Sequence, residues 1–441
     1  MTPSTEPAEQ RPISRGAAWI GTAVLAIVSV ALALTGADLV VRTAELNFSP
    51  LRSRANDDSV LDRVEFRTRV VTNALGFRDP RLPGPKPAGT MRVVVLGDSF
   101  TQGYGVEEEE AYPRRLERLL NQRRPGTKHE VINLGVPGAC PLDYDAHLEE
   151  VGLAYEPDVV VVGLMANDVG DIYSKREYGS RIMSEVLRQV QEEAIDDRPP
   201  WKRLPQRLWP SLYAYAGAMW AGLRARSAGA AVQGEPPKAA PAARAADVDW
   251  NATLLALAAR YGRRAEIEAA LPEMPPEQLE ALRPVLTGEY QYTRDRDQEP
   301  MFRLAAFLRP RANADMVLLP PDYDAAWAVT MRKLRRIDTL ARGADARTMI
   351  VFLPAAFQVS PEAWRRLRGV GFEMDPALLT DTTMSDRLRA FGAAEGIPVV
   401  DLLPPLRARH DDALYYPLDG HWTPLGHGVA AGELADAILS R

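Results

Sequence analysis

The chain has 441 residues, 46% of them hydrophobic, which is enough for one large domain or two domains with a substantial core. Its net charge is −6 and its acidic and basic residues are interleaved, so no basic field is available for a nucleic-acid backbone and no nucleic-acid partner is expected. The single cysteine, Cys140, excludes an intramolecular disulfide framework and a multi-cysteine zinc site.

The first distinctive segment is a run of 22 uncharged residues between Arg15 and Asp38, GAAWIGTAVLAIVSVALALTGA. A membrane-spanning helix needs roughly 20 apolar residues, so the run predicts a transmembrane anchor over 17–41 after a cytoplasmic segment, 1–16. A cleaved signal peptide is the alternative, although the apolar region of a signal is usually only about 7–15 residues long. Because nearly the whole chain follows this one span, we expect an extracytoplasmic, periplasmic body attached to the cell membrane.

Five short apolar runs predict strands: 91–97, 129–135, 157–164, 347–354 and 396–403. Their near-continuous Val, Ile and Leu content is typical of parallel strands covered on both faces. Helical patterns lie between them, one with Leu116 and Leu120 on the same face and another opened by Thr423 as N-cap. The alternation predicts an α/β fold, a flavodoxin-like three-layer sandwich around a five-stranded parallel sheet.

The third and fourth predicted strands are too far apart in sequence for an ordinary crossover of a dozen or more residues. The gap predicts a mostly helical insertion, 171–344, within a core made of 91–170 and 345–441. Inside the insertion, the Ala- and Pro-rich stretch 228–249 is typical of a mobile linker. The segment 42–90 is predicted to connect the N-terminal span to the core through turns.

Polar and glycine residues follow the predicted strands at their carboxyl ends, where open α/β sheets bind ligands. Ser99 follows the first strand and can act as a nucleophile if a base lies nearby. The backbone N–H groups of Ser99 and Gly138, with the side-chain amide of Asn167, can form an oxyanion hole. His421 can accept the serine proton, and Asp419 can hold the imidazole in the required tautomer.

Some of these residues also have a structural interpretation. Ser99 alone is a good N-cap for a strand-to-helix turn, and only the later blocks favour a nucleophile. His427 competes with His421 as the base, but it lies one turn inside the last helix, where it is expected to hold the preceding loop. His129 and His147 are expected at the surface.

Asp98 and Asp168 are predicted to support the site by accepting backbone N–H groups at the strand ends, without taking part in the chemistry. No HExxH pattern or other clustered ligand spacing occurs, so neither a metal nor a cofactor is expected. A phosphate-binding P-loop is excluded because no Gly-Lys-Ser/Thr follows Gly103, and the GxSxG elbow is absent because Thr101 occupies its second glycine position.

The blocks resemble those of the SGNH (GDSL-type) hydrolase superfamily over 91–168 and 345–441. The resemblance implies that the four namesake residues are Ser99, Gly138, Asn167 and His421, with Asp419 completing a triad. It also implies an enzyme that acts on ester bonds through an acyl-serine intermediate.

Two departures refine the resemblance. Met165 occupies the place of the usual glycine in the third block, and a single residue separates Asp419 from His421 in the last. This DGHW form is similar to the subgroup that acts on or acetylates bacterial exopolysaccharides, such as alginate acetylation proteins. A GFRD element at 76–79 resembles a segment that precedes the core in membrane-anchored relatives.

Three functions remain open from the sequence. The first is an extracytoplasmic serine ester hydrolase acting on acyl, in particular acetyl, esters of a carbohydrate. The second uses the same residues to transfer the acyl group to an exopolysaccharide or envelope glycan, as an O-acetyltransferase. The third is a non-catalytic envelope interaction protein that retains the blocks by descent.

Overall fold

The computed structural model describes residues 29–37, 51–178, 249–260, 262–287, 289–290 and 295–440. Residues 29–37 are helical and belong to one compact unit, and all other described residues belong to a second unit, Pro50–Ile195 with Ala240–Arg441. Within the described ranges, no helix has both the length and the apolar character needed to cross a bilayer. The rest of the predicted span 17–41, and the predicted linker up to residue 248, lie outside the described residues.

The described residues of the second unit form two sheets. The smaller is an antiparallel hairpin of β1 (Asp58–Asp62) and β2 (Arg67–Val71). The larger sheet has five parallel strands: β3 (Thr90–Gly97), β4 (Lys128–Gly135), β5 (Val159–Met165), β6 (Arg347–Leu353) and β7 (Val399–Asp401). Its order is β4-β3-β5-β6-β7, and all five predicted strands are confirmed.

The α-helices before the insertion are α1 (Ser99–Gln102), α2 (Tyr112–Arg123), α3 (Pro141–Glu150) and α4 (Asn167–Tyr178). Those in the described part of the insertion are α5 (Trp250–Arg260), α6 (Arg264–Ala270), α7 (Pro276–Leu286), α8 (Glu299–Leu308), α9 (Ala312–Leu318) and α10 (Asp324–Gly343). The remaining ones are α11 (Ala356–Val359), α12 (Pro361–Val370), α13 (Thr383–Glu395), α14 (Leu403–Arg407) and α15 (Pro424–Leu439).

Short 3₁₀ turns lie between several of these helices: Glu108–Glu110, Gly152–Tyr155, Leu271–Glu273, Pro321–Tyr323 and Pro376–Leu379. Helix α2 packs against α15, and α3 packs against α10. Every residue of β5 is buried, so both faces of the sheet are covered there. The strand order is that of the predicted flavodoxin-like fold. The described part of the insertion is helical, as predicted.

The insertion and the C-terminal helix agree with the sequence patterns in most details. Within the insertion, Gly262 lies between α5 and α6 in a left-handed conformation, φ +67°. At the other end, the Thr423 hydroxyl accepts a hydrogen bond from the N–H of Gly426 and caps α15, as predicted.

The segment 42–90, predicted to connect to the core through turns, also contains the β1–β2 hairpin, which was not predicted from the sequence. Alternate residues of β2 are buried and exposed, the period-two pattern of a half-buried strand. The GFRD element then joins the hairpin to the core. The buried Arg78 guanidinium donates to the carbonyl of Gly103 at 2.7 Å, and the Asp79 carboxylate accepts the N–H of Asn133 at 2.9 Å.

Glycines at the carboxyl end of three neighbouring strands let α1 lie directly on the sheet. A Cβ added to Gly97 of β3 would lie 1.9 Å from Thr101 Oγ1, and one on Gly163 of β5 would lie 2.7 Å from the same atom. A Cβ on Gly135 of β4 would lie 2.3 Å from the backbone nitrogen of Gln102. No side chain fits at these three positions, so the turn that carries Ser99 is held in place by close packing of α1 on the sheet.

Candidate active site

Ser99 is the first residue of α1, immediately after β3. Asp98 is the N-cap, and its carboxylate accepts the N–H of Phe100 at 2.9 Å. The N–H of Ser99, at the start of the helix, donates to no acceptor in the described part of the chain. It can therefore donate to a substrate oxygen that lies beside the serine.

The structure brings together Ser99, His421 and Asp419, although more than 300 residues separate the serine from the other two in the sequence. Ser99 Oγ lies 2.7 Å from His421 Nε2. On the other side of the ring, His421 Nδ1 hydrogen-bonds to Asp419 Oδ1. A proton on Nδ1, donated to the carboxylate, leaves Nε2 as an acceptor for the serine hydroxyl, which is the arrangement that a general base requires.

The charges around His421 raise the affinity of its imidazole for a proton. Burial lowers the pKa of His421, but the charge and hydrogen bond of Asp419 and the charge of Asp98 together outweigh it, so the pKa lies above the ordinary value of 6.5. Burial likewise opposes the charge of Asp98 and raises the pKa of that carboxyl to about 6. Only 1% of Asp98 is exposed, so its charge acts on the imidazole with little screening by water.

Two aromatic rings hold the imidazole of His421. The rings of Phe100 and Tyr104 lie 4.8 and 4.6 Å from it, centroid to centroid. The buried indole of the next residue, Trp422, packs edge-on against Phe100 at 5.0 Å. The imidazole is therefore oriented both by a carboxylate at one nitrogen and by packing on its faces.

Asn167 lies at the start of α4 and lines the same cavity as Ser99 and His421. One N–H of its amide donates to the Asp171 carboxylate at 3.2 Å, which leaves a second N–H for an oxyanion. Gly138 follows β4 in a left-handed conformation, φ +68°, and is not among the residues that line the cavity. The structure thus groups three of the four namesake residues at the cavity and places the fourth in the loop after β4.

Asp168 braces the loop after β5. Its carboxylate accepts the hydroxyl of Tyr144 and the N–H of Met165, both at 2.9 Å. Burial and the nearby charge of Asp98 raise the pKa of Asp168 well above its ordinary value. Met165, at the position of the usual glycine, accepts the N–H of Asn167 on its sulfur at 3.3 Å, so this departure leaves the amide in place.

A cavity of about 250 Å³ opens beside Ser99 and His421. Part of its wall comes from the insertion, through Phe302 on α8 and Met316 on α9, and another part from Leu367 on α12. The insertion, which had no predicted role, thus contributes to the site. Among the described residues, no group of three or more His, Cys, Asp or Glu side chains is placed to hold a metal ion.

Three other histidines serve the fold. His427 is buried in α15, accepts the N–H of Tyr112 on Nδ1 at 3.2 Å, and has its pKa lowered to about 3, mainly by burial. A neutral acceptor of a backbone N–H is a structural group. The ring of His427 also packs edge-on at 5.5 Å against Trp422, in the preceding loop that the sequence predicted it to hold. His129 and His147 were expected at the surface, and this expectation is wrong because both are buried.

One contact to the loop that carries Asp419 and His421, and one wall of the cavity, were not predicted from the sequence. The turn of the hairpin places the Glu65 carboxylate on the backbone N–H groups of Leu418 and Asp419. The alternation in β2 could have predicted the hairpin, but no local pattern links residue 65 to residue 419. The cavity wall from Phe302 and Met316 depends in the same way on tertiary packing.

Two family models match this chain. The GDSL-like Lipase/Acylhydrolase family matches residues 95–268, which include Ser99 and Asn167. The model described as an SGNH hydrolase-like domain, acetyltransferase AlgX, matches residues 314–441, which include Asp419 and His421. The serine and histidine sides of the site thus match different models of related families.

Individual relatives agree with the family models. An acetylxylan esterase of Xylanibacter ruminicola is 30% identical over 133 residues, 28% of this chain and 25% of that protein. A probable alginate O-acetylase AlgJ of Azotobacter vinelandii is 34% identical over 102 residues, 23% of this chain and 24% of that protein. The chain therefore spans about a quarter of the length of these curated relatives. The crystal structure of an acetyl xylan esterase, AlAXEase, is 12% identical with a TM-score of 0.34, covering 79% of this chain and all of that one.

Proposed function

We propose that this chain, which matches a GDSL-like family model over 95–268 and an SGNH hydrolase-like model over 314–441, is a serine ester hydrolase whose triad is Ser99, His421 and Asp419. The observation that carries the proposal is the continuous hydrogen-bonded series from Ser99 Oγ through the His421 ring to Asp419 Oδ1. The esterase and O-acetylase relatives also support an enzyme that acts on ester bonds.

The proposed reaction has two steps. Ser99 Oγ attacks the ester carbonyl carbon while His421 Nε2 takes the hydroxyl proton. That proton then passes to the departing alcohol, and the acyl group remains on Ser99. In the second step His421 takes a proton from water, the resulting hydroxide attacks the acyl carbon, and the carboxylic acid leaves as the proton returns to Ser99.

The oxyanion of each tetrahedral intermediate needs fixed hydrogen-bond donors. We assign this role to the N–H groups of Ser99 and Gly138 and to the second amide N–H of Asn167. The hydrogen bond from Asn167 to Asp171 supports the assignment, because it fixes which end of the amide carries the donors.

For the substrate, we propose acetyl esters of a carbohydrate. An acetylxylan esterase and a probable alginate O-acetylase are both similar to this chain, and each name refers to acetyl groups on a polysaccharide. The cavity beside Ser99 offers room for the acyl group and part of its carrier, with Phe302 and Met316 as an apolar wall.

Transfer of the acetyl group to a glycan hydroxyl is the second candidate. The observation that favours it is the match of residues 314–441, with Asp419 and His421, to the AlgX acetyltransferase model. The first step is then unchanged, and a sugar hydroxyl replaces water in the second.

One experiment tests the triad and separates the two outcomes. Full-length protein would be incubated with an acetyl ester, with and without added oligosaccharide, and both free acetate and acetylated oligosaccharide would be measured. A hydrolase gives acetate in either case, whereas a transferase gives acetylated oligosaccharide at the expense of acetate. Ser99→Ala should lower the rate at which either product forms by about four to six orders of magnitude. A Ser99→Ala variant with full activity would contradict the proposal.

The location forms part of the same proposal. The uncharged run between Arg15 and Asp38 supports a membrane anchor with the enzyme on the extracytoplasmic side. Protease added to intact spheroplasts should digest the body of the protein, and without protease the whole protein should stay with the washed membranes. A protein that is released by washing, or protected from protease, would contradict this location.

A further inference from the structure

The turn of the β1–β2 hairpin reaches the loop that carries the proposed base. The two carboxylate oxygens of Glu65 accept one hydrogen bond each, from the N–H of Leu418 and the N–H of Asp419, both at 2.7 Å. The partners are 353 and 354 residues apart in the sequence. A carboxylate that accepts two backbone N–H groups fixes the peptide between them more firmly than a neutral acceptor does.

The anchored peptide lies directly before the triad. Asp419 Oδ1, besides its bond to the imidazole, accepts the backbone N–H of His421 at 3.3 Å. The loop closes on itself, because the N–H of Tyr416 donates to the carbonyl of His421 at 2.8 Å and the N–H of Gly420 donates to the carbonyl of Tyr416 at 2.9 Å. The loop lacks a helix or strand of its own, so the hydrogen bonds that Glu65 accepts help to set its place relative to Ser99.

The hairpin also contacts this loop through an aromatic ring. Phe66 packs against Tyr416 at 5.0 Å and edge-on against Tyr104 at 5.5 Å. Tyr104 in turn lies against the imidazole of His421 at 4.6 Å, and the Tyr416 hydroxyl donates to the carbonyl of Gly105 at 2.9 Å. Adjacent hairpin residues thus reach the base by two routes, one through its carboxylate partner and one through its ring face.

We propose that Glu65 is a positioning residue for the His421–Asp419 pair, so that the hairpin before the core is a working part of the active site. This inference rests on the proposed function, because it assumes that the pair activates Ser99. Glu65 touches neither Ser99 nor the imidazole in a hydrogen bond, and it acts through the backbone of Leu418 and Asp419.

The test compares Glu65→Gln with a matched control, Glu107→Gln. Glu107 also accepts a backbone N–H on its carboxylate, from Arg69 of the hairpin at 3.1 Å, but it makes no hydrogen bond to the loop around His421. In Glu65→Gln one acceptor oxygen is replaced by a donor that faces an N–H, so the loop must shift. A displacement of about 1 Å at a catalytic group costs roughly 100-fold in rate.

We expect Glu65→Gln to lower kcat for an acetyl ester by about 10- to 100-fold with KM within about twofold of the wild type. The rate at which a fluorophosphonate reacts with Ser99 should fall by the same factor. Glu107→Gln should keep wild-type values for both rates. A merely structural role would lower the thermal midpoint of Glu65→Gln without changing kcat at a temperature where the protein is folded, and that result would overturn the proposal.

A second variant and a wild-type control complete the test of Glu65. If Glu65→Gln does not fold, Glu65→Asp retains the charge but shortens the reach by one methylene, and it should lose kcat while KM stays near the wild-type value. Wild-type kcat in Glu65→Asp would then contradict the proposal. If the wild type itself neither reacts with the fluorophosphonate nor releases acetate, the proposed function fails. If the wild type is active and Glu65→Gln is as active as Glu107→Gln, only the role of Glu65 is contradicted.

Discussion

The serine side and the histidine side of the site are held in different ways. Ser99 begins a helix that rests on three glycines of neighbouring strands, so its backbone is fixed by contacts with the sheet itself. His421 lies on a loop between α14 and α15, held by its own turn, by aromatic rings and by the distant Glu65 carboxylate.

This difference separates two kinds of preorganisation. The serine side depends on close packing, where a single added methyl group has nowhere to go. The histidine side depends on polar contacts that cross most of the chain, where loss of one acceptor shifts a loop but leaves the sheet intact. Mutations on the serine side should therefore change stability and activity together, and mutations on the histidine side should change activity more than stability.

The largest expected effect comes from the base. His421→Ala should lower kcat by at least about 10⁴-fold while the thermal midpoint stays near that of the wild type, because the ring is partly exposed and lies on a loop. His427→Ala is the matched control, since it removes a buried imidazole from the helix that follows. It should destabilise the fold by about 1–3 kcal/mol, through the orphaned N–H of Tyr112, and retain most of kcat when folded. Steady-state kinetics and thermal melts provide the test. A large loss of kcat in His427→Ala, with only a loss of stability in His421→Ala, would make His427 the base and His421 the structural residue.

The next effect concerns the amide at the cavity. Asn167→Ala should lower kcat by about 10²- to 10³-fold with a smaller change in KM, because the donor acts on charge that develops in the transition state. Asn167→Asp is an informative companion, since it keeps the size but replaces the donor with an acceptor beside Asp171. Steady-state kinetics of both variants on an acetyl ester provide the test, and wild-type kcat in Asn167→Ala would remove this residue from the oxyanion hole.

A change beneath α1 tests the serine side. Gly135→Ala places a Cβ 2.3 Å from the backbone nitrogen of Gln102, so α1 must move away from the sheet. We expect a loss of about 1–3 kcal/mol in the free energy of unfolding, with a parallel loss of kcat. Gly126→Ala, where nothing lies within 4 Å of the new Cβ, should leave both quantities unchanged. Chemical denaturation and kinetics on the same samples measure them, and equal stability of the two variants would contradict the packing argument.

The smallest expected effect is a shift in pH dependence. His421 accepts a proton only when neutral, so kcat/KM should fall as the pH drops through its pKa, which lies above 6.5. Asp98→Asn removes a negative charge that raises the pKa of His421, while an asparagine can still cap α1. The acidic limb of the pH profile should therefore move to lower pH in this variant. A limb that stays in place would show that Asp98 has no electrostatic effect on the base.

The two sides also differ in how far the sequence predicts them. Adjacent residues predict the turn that carries Ser99, because an apolar strand, Gly97, an Asp N-cap and Ser99 follow one another. The five strands are predicted from local composition. His421 is predicted from the DGHW block alone, and only the fold shows that it lies beside Ser99. Contacts such as that from Glu65 to Asp419 could not be predicted, because hydrogen bonds between residues so distant in sequence leave no local periodicity.

The insertion likewise has helices that the sequence predicts and a contribution to the site that it does not predict. Its helices follow from helical patterns, yet nothing in those patterns indicates that Phe302 and Met316 line the same cavity as Ser99. Helix formation depends on neighbours three and four residues apart, whereas the face that lines a cavity is decided by which other elements pack nearby. The element was therefore predictable and its contribution to the site was not.

The central claim, that Ser99 is a nucleophile activated by His421, is tested most directly by covalent labelling. Full-length protein would be treated with a fluorophosphonate, in which a bond from Ser99 Oγ to phosphorus forms as fluoride leaves, and the modified peptide would be mapped by mass spectrometry. One adduct, on Ser99, is expected in the folded wild type, and almost none over the same time in His421→Ala. An unlabelled wild type, or an adduct on another residue, would contradict it.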